Sequence, residues 1–180
     1  MSIVPLKPIM FYEGPHYYLS NFSSFAIVFE GEIWMTVEHA YQASKFMPVF
    51  ASIRTNIRNA LSAHEAKQIA KAHESEVRAD WYDVKLSVME KLLRAKVEQH
   101  PYVRRKLLET LDATLIEDSP KDSFWGRGRN WEGQNHLGKL WEKIRAEEMD
   151  RGRECRRREG RLTITLPGSA LHRPGSAGRA

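Results

Sequence analysis

Cys155 is the only cysteine among 180 residues. No disulfide can form within the chain and no thiolate cluster can hold a metal, so a reducing compartment fits the composition. No window approaches about 18 uninterrupted apolar residues, so no membrane span is expected. The opening MSIVPLKPIMFYEG lacks a charged start followed by an apolar run, and a cytoplasmic protein is expected. The sequence has neither GxGxxG nor a Walker A loop, which removes the fingerprints of Rossmann and P-loop nucleotide sites. Ser20 and Ser44 lack a GxSxG setting, and a serine hydrolase loses its support. HEAK (64–67) and HESE (73–76) have no second histidine at the HExxH position, and no cysteine joins them or His39. No metal site and no organic cofactor is expected.

Charge of one sign is also scarce where the core lies. The net charge is +5, but residues 151–180 carry eight arginines against Glu154 and Glu159, a net of +6. Residues 1–150 are therefore close to neutral, at −1. Together with its Gly, Pro and Ser, this composition marks 151–180 as a mobile, arginine-rich tail beside one domain at 1–150. Such a tail offers an anchor for nucleic acid. The domain itself has ordinary globular material: 42% apolar residues overall, with five Trp, six Tyr and seven Phe to fill an interior.

Pattern within the domain gives short strands and several helices. FAIVFEGEIW (25–34) predicts a hairpin around Glu30–Gly31, with Ile27, Phe29, Ile33 and Trp34 as apolar positions. Thr36 predicts the cap of a helix over 36–46. Ser62 and Glu65 form a capping box for a helix near 63–73. Asp80 can cap a long helix whose Trp81, Val84, Val88, Leu92 and Ala95 recur at buried spacing. Pro101 opens the next helix, with Val103, Leu107 and Leu111 inward. TLIED (114–118) reads as a strand, and Leu137, Leu140, Trp141 and Ile144 mark a last amphipathic helix.

Two segments carry chemistry. In TVEHAYQASKF (36–46), Glu38, Gln42 and Lys45 share one stripe at i, i+4 and i+7. That stripe is either a solvated face, with Glu38 as a first-turn acid favoured by the helix dipole, or the floor of a site. The loop SPKDSFWGRGRNWEGQN (119–135) is too long for a plain connection. Trp125 and Trp131 argue against its being disordered. Asp122 either stays a turn-former bonded to backbone amides or presents a carboxylate beside an aromatic wall. Gly126 and Gly128 let backbone approach a ligand closely. Trp81 reads as core packing or as a stacking surface, and the two are compatible at a site's edge.

In order and spacing, LSNF (19–22), the hairpin ending in Trp34, TVEHAYQASKF (36–46), RADWYDVKLSVM (78–89), LIEDSPKDSFWGRG (115–128) and GQNHLGKLW (133–141) resemble the NADAR superfamily, the YbiA-like group. The resemblance runs from about Phe11 to Arg145. It implies an α+β, mostly helical single domain that hydrolyses an N-glycosidic bond to ribose. Its implied substrates are phosphoribosylamino-pyrimidine intermediates of riboflavin synthesis or ADP-ribosylated guanine. A non-catalytic module that binds ADP-ribose or a nucleotide is the alternative. By position, the resemblance makes Glu38 and Asp122 the catalytic pair and Lys45 a candidate for capturing the opened sugar as a Schiff base. Asn21 and Phe22 of LSNF, Trp81, Trp125, Gly126 and Asn135 become the substrate contacts. The chain departs from relatives at Arg127, where they often carry an acidic or apolar residue. It departs again at Leu111, where they tend to have glycine.

Overall fold

A computed structural model describes residues 6–162. The short helix opened by Thr36 is its centre. Thr36 Oγ1 accepts from His39 N at 3.3 Å, and α1 (Val37–Ala43) follows with all seven of its residues buried. A helix without a wet face needs neighbours all round. It has them in α2 (Ala51–Arg58), α3 (Ala63–Ala72) and α4 (Trp81–Gln99). Arg54 on α2 donates to the carbonyls of Ala43 and Phe46, both at 3.2 Å, satisfying acceptors that the end of α1 leaves open.

Around this helical layer lie two sheets of two strands each. β1 (Ile9–Phe11) pairs in parallel with β4 (Leu115–Glu117), with Phe11 opposite Glu117. β2 (Ile27–Phe29) and β3 (Glu32–Trp34) form the expected hairpin. Its turn residues Glu30 and Gly31 both have positive φ, at 51° and 79°, the twist that a two-residue hairpin turn demands. α5 (Pro101–Glu109) and α6 (His136–Leu162) complete the α+β, mostly helical arrangement. Trp141 on α6 is fully buried, and its Nε1 donates to Leu19 O at 2.9 Å. Among the described residues no helix is long and apolar enough to cross a membrane.

Several local expectations are corrected. β1 and α2 are not foreshadowed by the sequence pattern. β1 is three residues beside Pro8, and α2 buries only Ile53 and Ile57 and has no side-chain cap. Asp80 precedes α4 without capping it, because its carboxylate pairs instead with Arg78 Nη2 at 2.8 Å. Ile33 faces outward on the hairpin, 66% exposed, and so does Trp131, stacked under the Arg127 guanidinium at 4.4 Å. The irregular tail expected from residue 151 begins instead as helix, since α6 continues through Arg151–Arg158 to Leu162. The rest of that expectation, from residue 163, lies outside the described residues.

Leu111 is the most informative departure. It is expected to face inward but stands exposed just after α5, at φ 50°. That left-handed position is where glycine ends a helix without a Cβ clash. Leu111→Gly is expected to stabilise the chain by about 0.5–1 kcal/mol in urea unfolding, because relief of the left-handed strain outweighs glycine's entropy. A loss of stability would show that the exposed leucine contributes packing.

α4 also buries a charge that its apolar pattern conceals. Lys96 is fully inaccessible; its Nζ donates to Ser20 O at 2.9 Å and Ser23 Oγ at 2.7 Å, with the Phe25 ring at 5.1 Å. No carboxylate pairs with it among the described residues. It ties the turn that carries Asn21 to the last turn of α4.

Candidate active site

The stripe on α1 is not a solvated face. Glu38 and Gln42 are buried, 5% and 2% exposed, and Gln42 Nε2 donates to Glu38 Oε1 at 2.7 Å across one helical turn. Glu38 N donates to Asn21 O at 3.0 Å, so the LSNF turn lies against the start of the helix. Burial pushes the Glu38 carboxyl upward, against the pull of Gln42, Lys67 and Lys45, while the Asp122 charge adds to the rise. Lys45 follows the helix end, half-buried. Desolvation lowers its pKa despite the attraction of Glu38, and Lys67 reinforces that fall. The amine is thereby brought nearer the neutral form that a nucleophile needs.

Three rings from three separate elements wall this group. Tyr41 of α1 lies 5.1 Å from Trp81 at the start of α4 and 5.6 Å from Trp125 in the long loop, centroid to centroid. Lys45 Nζ stands 5.8 Å from the Tyr41 ring and 5.9 Å from Trp81. Phe22 flanks the other side, 6.0 Å from Lys67 Nζ and edge-on to His64 at 5.9 Å. The cluster closes at Glu38 and Gln42 and reaches the surface at Lys45, Asp122 and Trp125, which are half-buried. A surface depression of about 480 Å³ beside Pro101, Arg104 and Leu108 of α5 and Leu111 just after it includes none of these residues.

Asp122 is the turn-former that the sequence allowed. Its Oδ1 accepts from Phe124 N at 3.0 Å and Trp125 N at 2.8 Å, the turn that holds the loop, and its charge reaches Glu38. Gly126 and Asn135 stand behind this wall. A Cβ on Gly126 would fall 2.9 Å from Glu117 O, so the space it provides is taken by the chain's own backbone. Asn135 uses both ends of its amide on β4, accepting from Glu117 N at 3.0 Å and donating to Leu115 O at 2.8 Å. These two residues hold the loop against β4, with each end of the Asn135 amide bonded to that strand.

What they hold in place is a residue that the sequence pattern does not single out. Glu117 is 7% exposed, and its carboxyl is pushed up to about 8 by burial, then by the charges of Asp122, Glu38 and Asp118. A signal for it exists: strand alternation puts Glu117 on the face of Leu115, which is fully buried. Three buried oxygens of this region, Asn21 Oδ1, Gln42 Oε1 and Glu117 Oε2, have no hydrogen-bond partner among the described residues. Each such atom is costly unless something supplies a donor. The zinc candidates serve elsewhere. His39 lies in the core between Thr36 Oγ1 at 2.8 Å and Ala60 O at 3.2 Å, and the described residues hold no group of three metal-binding side chains.

The model of the NADAR domain matches residues 10–148. The chain belongs to the NADAR domain family. An N-glycosidase of Nostoc punctiforme is 40% identical over 142 residues, covering 77% of this chain and 91% of the relative. A riboflavin biosynthesis protein of Vibrio vulnificus is 36% identical over 143 residues, covering 78% of this chain but only 38% of that longer protein. The NMR structure of the E. coli protein YbiA superposes with a TM-score of 0.76 at 34% identity, over 84% of this chain and 90% of that one. The NADAR match spans every element from β1 into α6 and contains all the residues of the ring-walled cluster.

Proposed function

We propose that this NADAR domain is an N-glycosidase that hydrolyses the bond between a ribosyl carbon and a nitrogen of a nucleobase-like group. The observation that carries it is Glu38: a buried carboxylate, hydrogen-bonded by Gln42, beside rings and unpartnered acceptors, in a chain whose relatives include a named N-glycosidase. Cleaving a ribosyl C–N bond develops positive charge at C1′ and the ring oxygen. A carboxylate in a site poor in water stabilises that charge far more than one in bulk solvent. Asp122, whose Oδ1 accepts from two backbone amides, activates water with its other oxygen. Trp81 and Trp125 present edges and faces to the base; stacking of this kind contributes about 1–3 kcal/mol per base in nucleic-acid binders. Asn21 Oδ1 and Gln42 Oε1 accept from ribose hydroxyls, Lys67 meets phosphate, and Lys45 is left to face the sugar carbon.

Two substrate classes fit, a phosphoribosylamino-pyrimidine and an ADP-ribosylated guanine, and the riboflavin biosynthesis name of one relative favours the first. We place the reaction in the cytoplasm, in keeping with the single cysteine. The helical arginines from Arg151 to Arg158 offer a cationic surface for nucleic acid, with binding that weakens steeply as salt rises.

The test is a product assay on purified protein with each substrate in turn. Free base is expected from the phosphoribosylamino-pyrimidine, and sugar trapped by borohydride on wild type but not on Lys45→Ala would add a Schiff-base route to direct water attack. Turnover without any trapped adduct removes the Schiff-base step and leaves direct water attack. Binding of ADP-ribose without turnover of either compound overturns the enzyme reading in favour of a binding module.

A further inference from the structure

We propose that Glu117, at the end of β4, is the proton donor to the departing base. The inference rests on the glycosidase reading above and adds a group to it.

Of the three unpartnered oxygens in this region, those of Asn21 and Gln42 can only accept, whereas a protonated Glu117 can donate from Oε2. Asn21 and Gln42 each direct one N–H into the protein, to Met89 Sδ at 3.4 Å and to Glu38 Oε1 at 2.7 Å. Asp122 Oδ1 is engaged by two backbone amides as an acceptor. Glu117 Oε2 is buried and unbonded, within the electrostatic reach of both Asp122 and Glu38. Its backbone is held rigidly for a single short strand: Asn135 Oδ1 takes its N–H, and Arg127 N donates to its carbonyl at 3.0 Å. Gly126 is glycine because that carbonyl sits where a Cβ would be. A loop that spends an asparagine, a glycine and a backbone amide on one glutamate fixes where its carboxyl points. Burial and neighbouring charge then keep that carboxyl protonated at neutral pH, the state required of an acid.

The step balances. As the C1′–N bond breaks, its electron pair goes to the base nitrogen, which takes the proton of Glu117. Water adds to C1′ and passes a proton to Asp122. Transfer of that proton to Glu117 restores both groups, so the sum is substrate plus water giving ribose hydroxyl plus protonated base.

Glu117→Gln separates this role from a structural one when paired with two N-ribosyl phosphates. On the phosphoribosylamino-pyrimidine, whose base needs a proton to leave, kcat is expected to fall at least 100-fold. On nicotinamide mononucleotide, whose base leaves as a neutral molecule without protonation, the fall is expected to stay within a few-fold. In wild type, kcat/KM for the first substrate is expected to decline above about pH 8, and that limb is expected to vanish in the variant. The wild-type limb can be measured even if the variant does not fold, and its absence overturns the assignment. Equal losses on both substrates, or an unchanged rate on the first, also overturn it. If nicotinamide mononucleotide is not turned over, the limb in the variant decides. No turnover of the phosphoribosylamino-pyrimidine by wild type overturns the glycosidase reading on that substrate, and this assignment with it.

Discussion

Glu38→Gln is expected to lower kcat on the N-ribosyl substrate by about 10²- to 10⁴-fold, with KM little changed. The substitution keeps the shape of the side chain and an oxygen for Gln42 Nε2, so only the charge is removed. That charge does its work when C1′ becomes cationic, hence the effect belongs to kcat rather than to ground-state affinity. The variant is also expected to be at least as stable as wild type, because Glu38 is desolvated and ionises against the cost of burial. Loss of activity together with retained or raised stability is what distinguishes a functional charge from a packing residue. A variant of normal kcat would remove Glu38 from the chemistry, and one that melts early would make it a structural group.

The second large effect concerns Lys96. Lys96→Ala is expected to cost about 3–5 kcal/mol of stability, read from urea unfolding at pH 9. It opens a cavity beside Phe25 and Trp141 and strips the donor from Ser20 O and Ser23 Oγ. Wild type carries a matching pH signature. Burial lowers the Lys96 pKa to about 7 from its ordinary value of 10.5. Below pH 7 both folded and unfolded chains are protonated there, and the fold bears the full cost of a buried ammonium. Between about 7 and 10.5 the unfolded chain binds the proton and the folded chain does not, so stability from this group rises with pH. The rise has an upper bound of about 5 kcal/mol. Lys96→Met, which keeps the bulk without the charge, is expected to flatten that rise. A slope unchanged in Lys96→Met would assign it to another group.

Glu38 and Lys96 mark the two extremes of what the sequence reveals. Glu38 was legible because its information is local: a capped helix start and a stripe of polar residues, set in an order of motifs that few families share. Trp81, Trp125 and Asp122 came from the same source, and the ring contacts around Tyr41 bring both tryptophans to that helix. Lys96 was not legible, since its partners Ser20 and Ser23 lie more than 70 residues away and nothing in α4 announces a buried amine. Leu92, Leu93 and Val97 around it read simply as core. Asn135 stood out in the sequence as a ligand contact, whereas in the fold both ends of its amide are bonded to β4. Leu111 failed for a backbone reason. Its spacing continues the apolar face of α5, but the helix ends at Glu109 and the chain turns left-handed.

In the proposed reaction, water attacks the ribosyl carbon and the base departs with its nitrogen. Turnover of the phosphoribosylamino-pyrimidine in water enriched in the heavy oxygen isotope tests that step most directly, with the released base weighed by mass spectrometry. A base of unlabelled mass that retains its amine is expected. Heavy oxygen in the base would mean attack on the pyrimidine ring instead, and would contradict glycosidic cleavage.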